Sequence, residues 1–157
     1  MLFKNIEPVY SRQNRIKHFL LYIVKNCIED FDSMKRVNLA LHQGMKLDDY
    51  KADVNYLGSL HRCVCGYLII KVATLFDKGK KNNKPISLYS YNNIQDGDVD
   101  NLKNQEIISV IIDARNKFTA HNDLKYLEKG NFGLSANKII KSDLEIVLKS
   151  ILELLQK

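Results

Sequence analysis

Tyr67-Leu-Ile-Ile-Lys-Val-Ala-Thr-Leu-Phe76 can be read as strand or as helix, and the fold class turns on which. It is rich in β-branched residues and, taken alone, would serve as a buried strand. Ile107-Ile-Ser-Val-Ile-Ile112 poses the same ambiguity. The flanking residues resolve it, because each stretch sits inside a longer window that keeps helical spacing and has no turn residues at strand-length intervals. Around the first stretch, Leu57, Leu60, Val64, Leu68, Val72 and Leu75 recur at steps of three and four, the signature of one buried helical face. The spacing predicts a helix that begins near Asp48 or Asp49 and ends around Asp77 to Gly79.

The same pattern extends in both directions. From Ser11 to about His42, Leu20, Val24, Cys27, Phe31 and Met34 alternate steps of four and three, and Gly44 is a natural stop. A polar segment from Lys78 to Asn101 reads as a long connection holding at most one short helix. A third main helix places Ile107, Ile111, Ala114 and Phe118 on one face, and a loop around Gly130 and Gly133 leads to the last helix. There Ser142-x-x-Glu145 has the capping-box pattern, ahead of a stripe of Val147, Leu148, Ile151, Leu154 and Leu155. The expected architecture is all-α: an antiparallel up-and-down four-helix bundle with one long loop between the second and third main helices.

Composition agrees with a single domain over residues 1–157. The chain has 45% hydrophobic and 27% charged residues, which excludes a disordered or collagen-like polymer. Only 7 Gly and 2 Pro leave too few breakers for a fold of many short strands. No run approaches the ~18 apolar residues that cross a bilayer, and the start lacks the basic and apolar regions of a secretory signal. With three cysteines, reduced thiols in a cytoplasm are the simpler expectation than a disulfide framework. Lys and Arg number 24 against 18 Asp and Glu, a net charge of +6 that draws the chain toward polyanions or serves solubility alone.

Asp113-Ala-Arg-Asn-Lys-Phe-Thr-Ala-His-Asn-Asp123 is the segment with chemistry in it. On an ideal helix Arg115 and His121 point about 120° apart, each about 60° from Phe118 and on opposite sides of it. They therefore border the core stripe, where a cleft made with another helix or a second subunit can gather them. Imidazole moves protons near neutral pH, and guanidinium stays charged and holds phosphate bidentately. The pair suits phosphodiester chemistry on RNA, whose own 2′-hydroxyl is the nucleophile, so no metal or other cofactor is required. On spacing alone the two residues can equally serve the helix C-terminus, hydrogen-bonding its last carbonyls and offsetting its dipole.

Arg115-Asn116-Lys117-Phe118-Thr119-Ala120-His121 resembles the R-x(4–6)-H signature of the HEPN superfamily, including the polar residue directly after the Arg. With Leu75-Phe76-Asp77 and Ile86-Ser87-Leu88 upstream, it is similar to the AbiU2-like branch tied to phage abortive infection. The resemblance implies a helical bundle that dimerises with the motif at the dimer cleft. It also implies a metal-independent endoribonuclease acting as a toxin or defence effector, with RNA as substrate and a protein antitoxin as a partner. Arg115 and His121 would be the catalytic pair and Asn116 a supporting residue, with Asp77 and Asp123 in orienting roles. Some HEPN proteins bind without cleaving, which leaves a noncatalytic module that binds RNA or a partner protein as the alternative.

Cys63 and Cys65, two apart on a helix, point about 200° from each other and cannot share a metal ion. Cys27 falls on the apolar stripe of the first helix, and His18 and His42 have no partner nearby in sequence. Lys78, Lys80, Lys81 and Lys84, with Lys117 in the motif, can grip a phosphate backbone, and Tyr89 and Tyr91 can stack bases; a solvated loop has the same composition.

Overall fold

The computed structural model describes residues 11–43, 54–80, 82, 84–116 and 136–157. Among these the protein is all-α, with six α-helices and one 3-10 turn. We number them α1 (Arg12–Gln43), α2 (Val54–Leu75), α3 (Asp96–Lys103), α4 (Glu106–Ala114), α5 (Ala136–Ile140) and α6 (Leu144–Gln156), with the 3-10 turn at Leu88–Ser90 between α2 and α3. Helix α1 is the spine. It packs against α2, α5 and α6, and α2 also packs against α4.

The ambiguous stretch at 67–76 is helical, and its burial follows the three-and-four spacing. Leu68, Val72 and Leu75 lie in the core with Leu20, Val24, Cys27, Phe31 and Met34 of α1. On α4, Ile107, Ile108 and Ile111 are buried, and on α6, Val147, Leu148, Ile151 and Leu155. β-branched side chains cost a helix only a few tenths of a kcal/mol each, so burial of a continuous apolar face outweighs the local preference for strand. Lys71 of α2 donates to Asp30 of α1 at 2.8 Å, and Lys35 of α1 reaches Glu145 of α6 at 3.1 Å. These two bridges tie α2 and α6 to the spine.

Some details depart from the expected pattern. Leu60, expected on the buried face, is 37% exposed, because the core-facing side of α2 runs through Cys65, Leu68, Ile69, Val72 and Ala73 instead. The capping box does not form. The Ser142 hydroxyl donates to the Ile139 carbonyl and accepts from the Leu144 N–H, bridging α5 to α6, and Asp143 stands at the N-cap with no side-chain cap bond. Glu145 turns to Lys35 and Lys149. The short helix α5 is an addition ahead of the expected last helix, and the short helix in the long connection is α3. The start of the second helix, Gly44, Leu57 and Phe118 as packing residues, and the loop around Gly130 and Gly133 lie outside what is described.

Candidate functional site

Helix α2 stops at Leu75, where the Phe76 and Asp77 N–H groups bond back to the Ala73 and Thr74 carbonyls. The Asp77 carboxylate accepts from the Gly79 N–H at 3.0 Å through Oδ1, and Gly79 takes a left-handed φ of 67° that L side chains rarely adopt. This short loop turns the chain out of the helix and leaves Oδ2 of Asp77 facing α4. At the end of α4, Arg115 keeps helical torsions, its N–H bonding to the Ile111 and Ile112 carbonyls.

The two ends meet. Arg115 Nη1 lies 3.4 Å from Asp77 Oδ2, and Arg115 Nε donates to Asn116 Oδ1 at 3.1 Å. The Arg115 side chain is 23% exposed, so its guanidinium is held on two sides at the border of packing and solvent. Three of the residues picked from the sequence, Arg115, Asn116 and Asp77, are thus brought together across 38 positions of chain. His121, Asp123, Lys117 and Lys81 lie outside the described residues.

The lysines of the connection differ in their surroundings. All of Lys78, Lys80 and Lys84 are exposed, but Lys78 is also 3.1 Å from Asp100 and 4.5 Å from the centroid of the Tyr89 ring. The Tyr89 hydroxyl donates to Asp100 at 2.6 Å. Burial first, and then that hydrogen bond to a carboxylate, push the Tyr89 phenol well above its ordinary value. Asp100 is lowered by the same hydrogen bond and by Lys78. Tyr91 does not stack outward as its sequence neighbourhood suggests. It is buried, with its hydroxyl accepting from Asn93, because the chain turns inward after the 3-10 turn.

Beside Lys78 opens a cleft of about 860 Å³ between the first turns of α1 and the connection. Arg12 and Arg15 line it from α1, and Lys78 and Lys84 from the connection. Gln13 links the two walls, donating to the Ser90 carbonyl and accepting from the Asn92 N–H. Sequence reasoning missed Arg12 and Arg15, since 63 residues or more separate them from the basic loop and no local pattern announces the pairing. Cys27 is buried, and its thiol is pushed up to about 12 by that burial; Cys65 is buried and Cys63 exposed, as their opposite helical faces require. Among the described residues no three His, Cys, Asp or Glu side chains gather where a metal ion could be held. None of the described helices is long and apolar enough to cross a membrane.

No protein-family model, characterised protein or solved structure matches this chain.

Proposed function

We propose that the chain is a metal-independent endoribonuclease of the toxin or phage-defence type, built on a HEPN-like up-and-down four-helix bundle. The observation that carries this reading is the guanidinium of Arg115, held by Asp77 and Asn116 where α2 and α4 end. A positioned guanidinium at a solvent border is what phosphate recognition needs, and the resemblance of residues 115–121 to the HEPN signature adds a histidine to it. In the proposed reaction the RNA 2′-hydroxyl attacks the adjacent phosphorus and the bond to the 5′-oxygen of the next nucleotide breaks. His121 moves the proton, and Arg115 offsets the charge that builds on the phosphorus oxygens. The packing of α1 against α2 and α6, and of α2 against α4, supports the four-helix arrangement.

Asp77 also motivates the alternative, a noncatalytic module that holds RNA or a partner protein, since a carboxylate already engaged with Arg115 competes with phosphate for it. The test is cleavage of RNA by the purified protein beside its His121→Ala and Arg115→Ala variants. Both substitutions are expected to abolish cleavage. If the variants cut as the parent does, the catalytic assignment fails; if the parent yields no new RNA ends yet binds RNA in a salt-dependent way, the binding module is correct.

A further inference from the structure

The cleft between α1 and the connection has an electrostatic arrangement that the fold alone does not account for. Among the described residues, Arg12, Arg15 and Lys84 line it without making an ion pair, and Asp96 is the one carboxylate on its walls. Two of these cations occupy the first turn of a 32-residue helix, which has no acid there. Positive side chains at a helix N-terminus are unfavourable, because the helix dipole is positive at that end. Of the other described helices, α3, α4 and α6 carry Asp96 and Asp98, Glu106 and Glu145 in their first turns, while α2 and α5 carry no acid there but no arginine pair either. The positive end of α1, the two arginines and Lys84 therefore converge on one cleft. An anion seated there would offset all of them.

The remaining walls say what kind of anion fits. Phe19 and Ile86, each 44% exposed, and half-buried Pro85 supply apolar surface beside the cations. The cleft is an open trough with positive charge on both walls, and it begins at Lys78, the residue after the partner of Arg115. A free nucleotide is usually enclosed on most of its surface with its phosphates gathered at one end. Charge along both walls of an open trough, with apolar side chains between, suits a strand whose phosphates recur and whose bases lie on apolar surface.

We infer that this cleft is a docking groove for single-stranded RNA, with phosphates on Arg12, Arg15 and Lys84 and a base against Phe19 and Ile86. The inference rests on the RNA reading of the Arg115 site and adds a place, remote in sequence, where the strand is held on its way to that site.

Binding of a fluorescein-labelled, fully 2′-O-methylated 12-nucleotide strand, followed by anisotropy, tests it without cleavage, since the methylated strand has no nucleophilic hydroxyl. The Arg12→Ala/Arg15→Ala double variant is expected to weaken binding at least about tenfold at low salt, and to lower the slope of log K against log salt by about 1.4, two contacts at about 0.7 each. A Lys25→Ala/Lys141→Ala variant, which removes two exposed lysines away from the cleft, should bind as the parent does, and Arg12→Lys/Arg15→Lys should keep most of the affinity. Loss of helical circular dichroism in the alanine variant moves the decision to Lys84→Glu and Phe19→Ala, each expected to weaken binding about fivefold or more. Unchanged binding in the folded variants overturns the proposal. So does competition by ATP or by duplex RNA as strong as by the unlabelled single strand. If the methylated strand binds through the cleft but natural RNA is never cut, the cleavage reading falls and the groove stands. If RNA is cut while the arginine variant binds and cuts as the parent does, the groove falls and the cleavage reading stands.

Discussion

Asp77 uses its two oxygens for different purposes. Oδ1 holds the Gly79 N–H and so shapes the exit from α2, while Oδ2 holds Arg115 across the gap to α4. Asp77→Asn keeps an acceptor for the loop and removes the charge that orients the guanidinium. With the Asp77 side chain 39% exposed, the ion pair is worth at most about 1 kcal/mol, so the melting temperature should move little. Under the proposed function, misplacing Arg115 should lower kcat by up to about 100-fold with little change in KM. Steady-state cleavage kinetics check this, and recovery in Asp77→Glu would separate a charge requirement from a packing one. Equal loss in Asn and Glu variants would count against an orienting role.

At the scale of elements, α6 is held to α1 through Glu145, which accepts from Lys35 of α1 and Lys149 of its own helix. Hydrogen bonds from Lys149 and then Lys35 hold its carboxyl below the ordinary value of 4.5. A group whose folded value is depressed contributes its stability in full above the unfolded value, and that contribution is lost as pH falls through the folded value. The melting temperature of the parent should therefore exceed that of Glu145→Gln at pH 7, with the gap closing as pH drops below 4.5; because Glu145 is at the surface, the gap should also shrink in high salt. Thermal unfolding at pH 7, 5, 4 and 3 measures both. A gap that persisted at pH 3 would mean the glutamate acts by packing.

The same helix shows where sequence patterns stop being informative. Its apolar stripe was legible because helical spacing records burial directly, but Ser142-x-x-Glu145 describes only what the two side chains can do locally. In the folded chain both have better partners, the Ile139 carbonyl for Ser142 and Lys35 for Glu145, the latter 110 positions away. Leu60 is a similar case. Its spacing fits the buried set, yet the rotation of α2 that seats Leu68 and Val72 against α1 turns it outward.

On the whole molecule, the outward side of α2 carries an apolar stripe with no acidic residue, flanked by exposed Arg62 and by Lys71, which lies 5.0 Å from the Tyr67 ring centroid. Tyr56, Leu60, Cys63, Tyr67 and Ile70 recur at steps of four and three, within about 80° of one another on an ideal wheel. All five are exposed, and the helix contains no Asp or Glu. The stripe is self-complementary about Cys63: an antiparallel copy related by a two-fold axis there sets Tyr56 beside Ile70 and Leu60 beside Tyr67. If the dimer that the HEPN resemblance implies forms through this face, its outcome is measurable. Light scattering should show the parent as a dimer and Tyr67→Glu as a monomer. Mild oxidation should cross-link the parent but not Cys63→Ser, since Cys27 and Cys65 are buried. A parent that stays monomeric at high concentration rules the dimer out.

The helical class and most of the buried faces were legible in the residues alone, because spacing and scarce breakers are local properties. Tertiary structure alone decided that Asp77 meets Arg115, that Tyr91 turns inward, and that Arg12 and Arg15 share a cleft with Lys84. Each of these depends on how α1, α2 and α4 are rotated and stacked. That choice is made by the joint burial of the whole core, and no short stretch of residues encodes it.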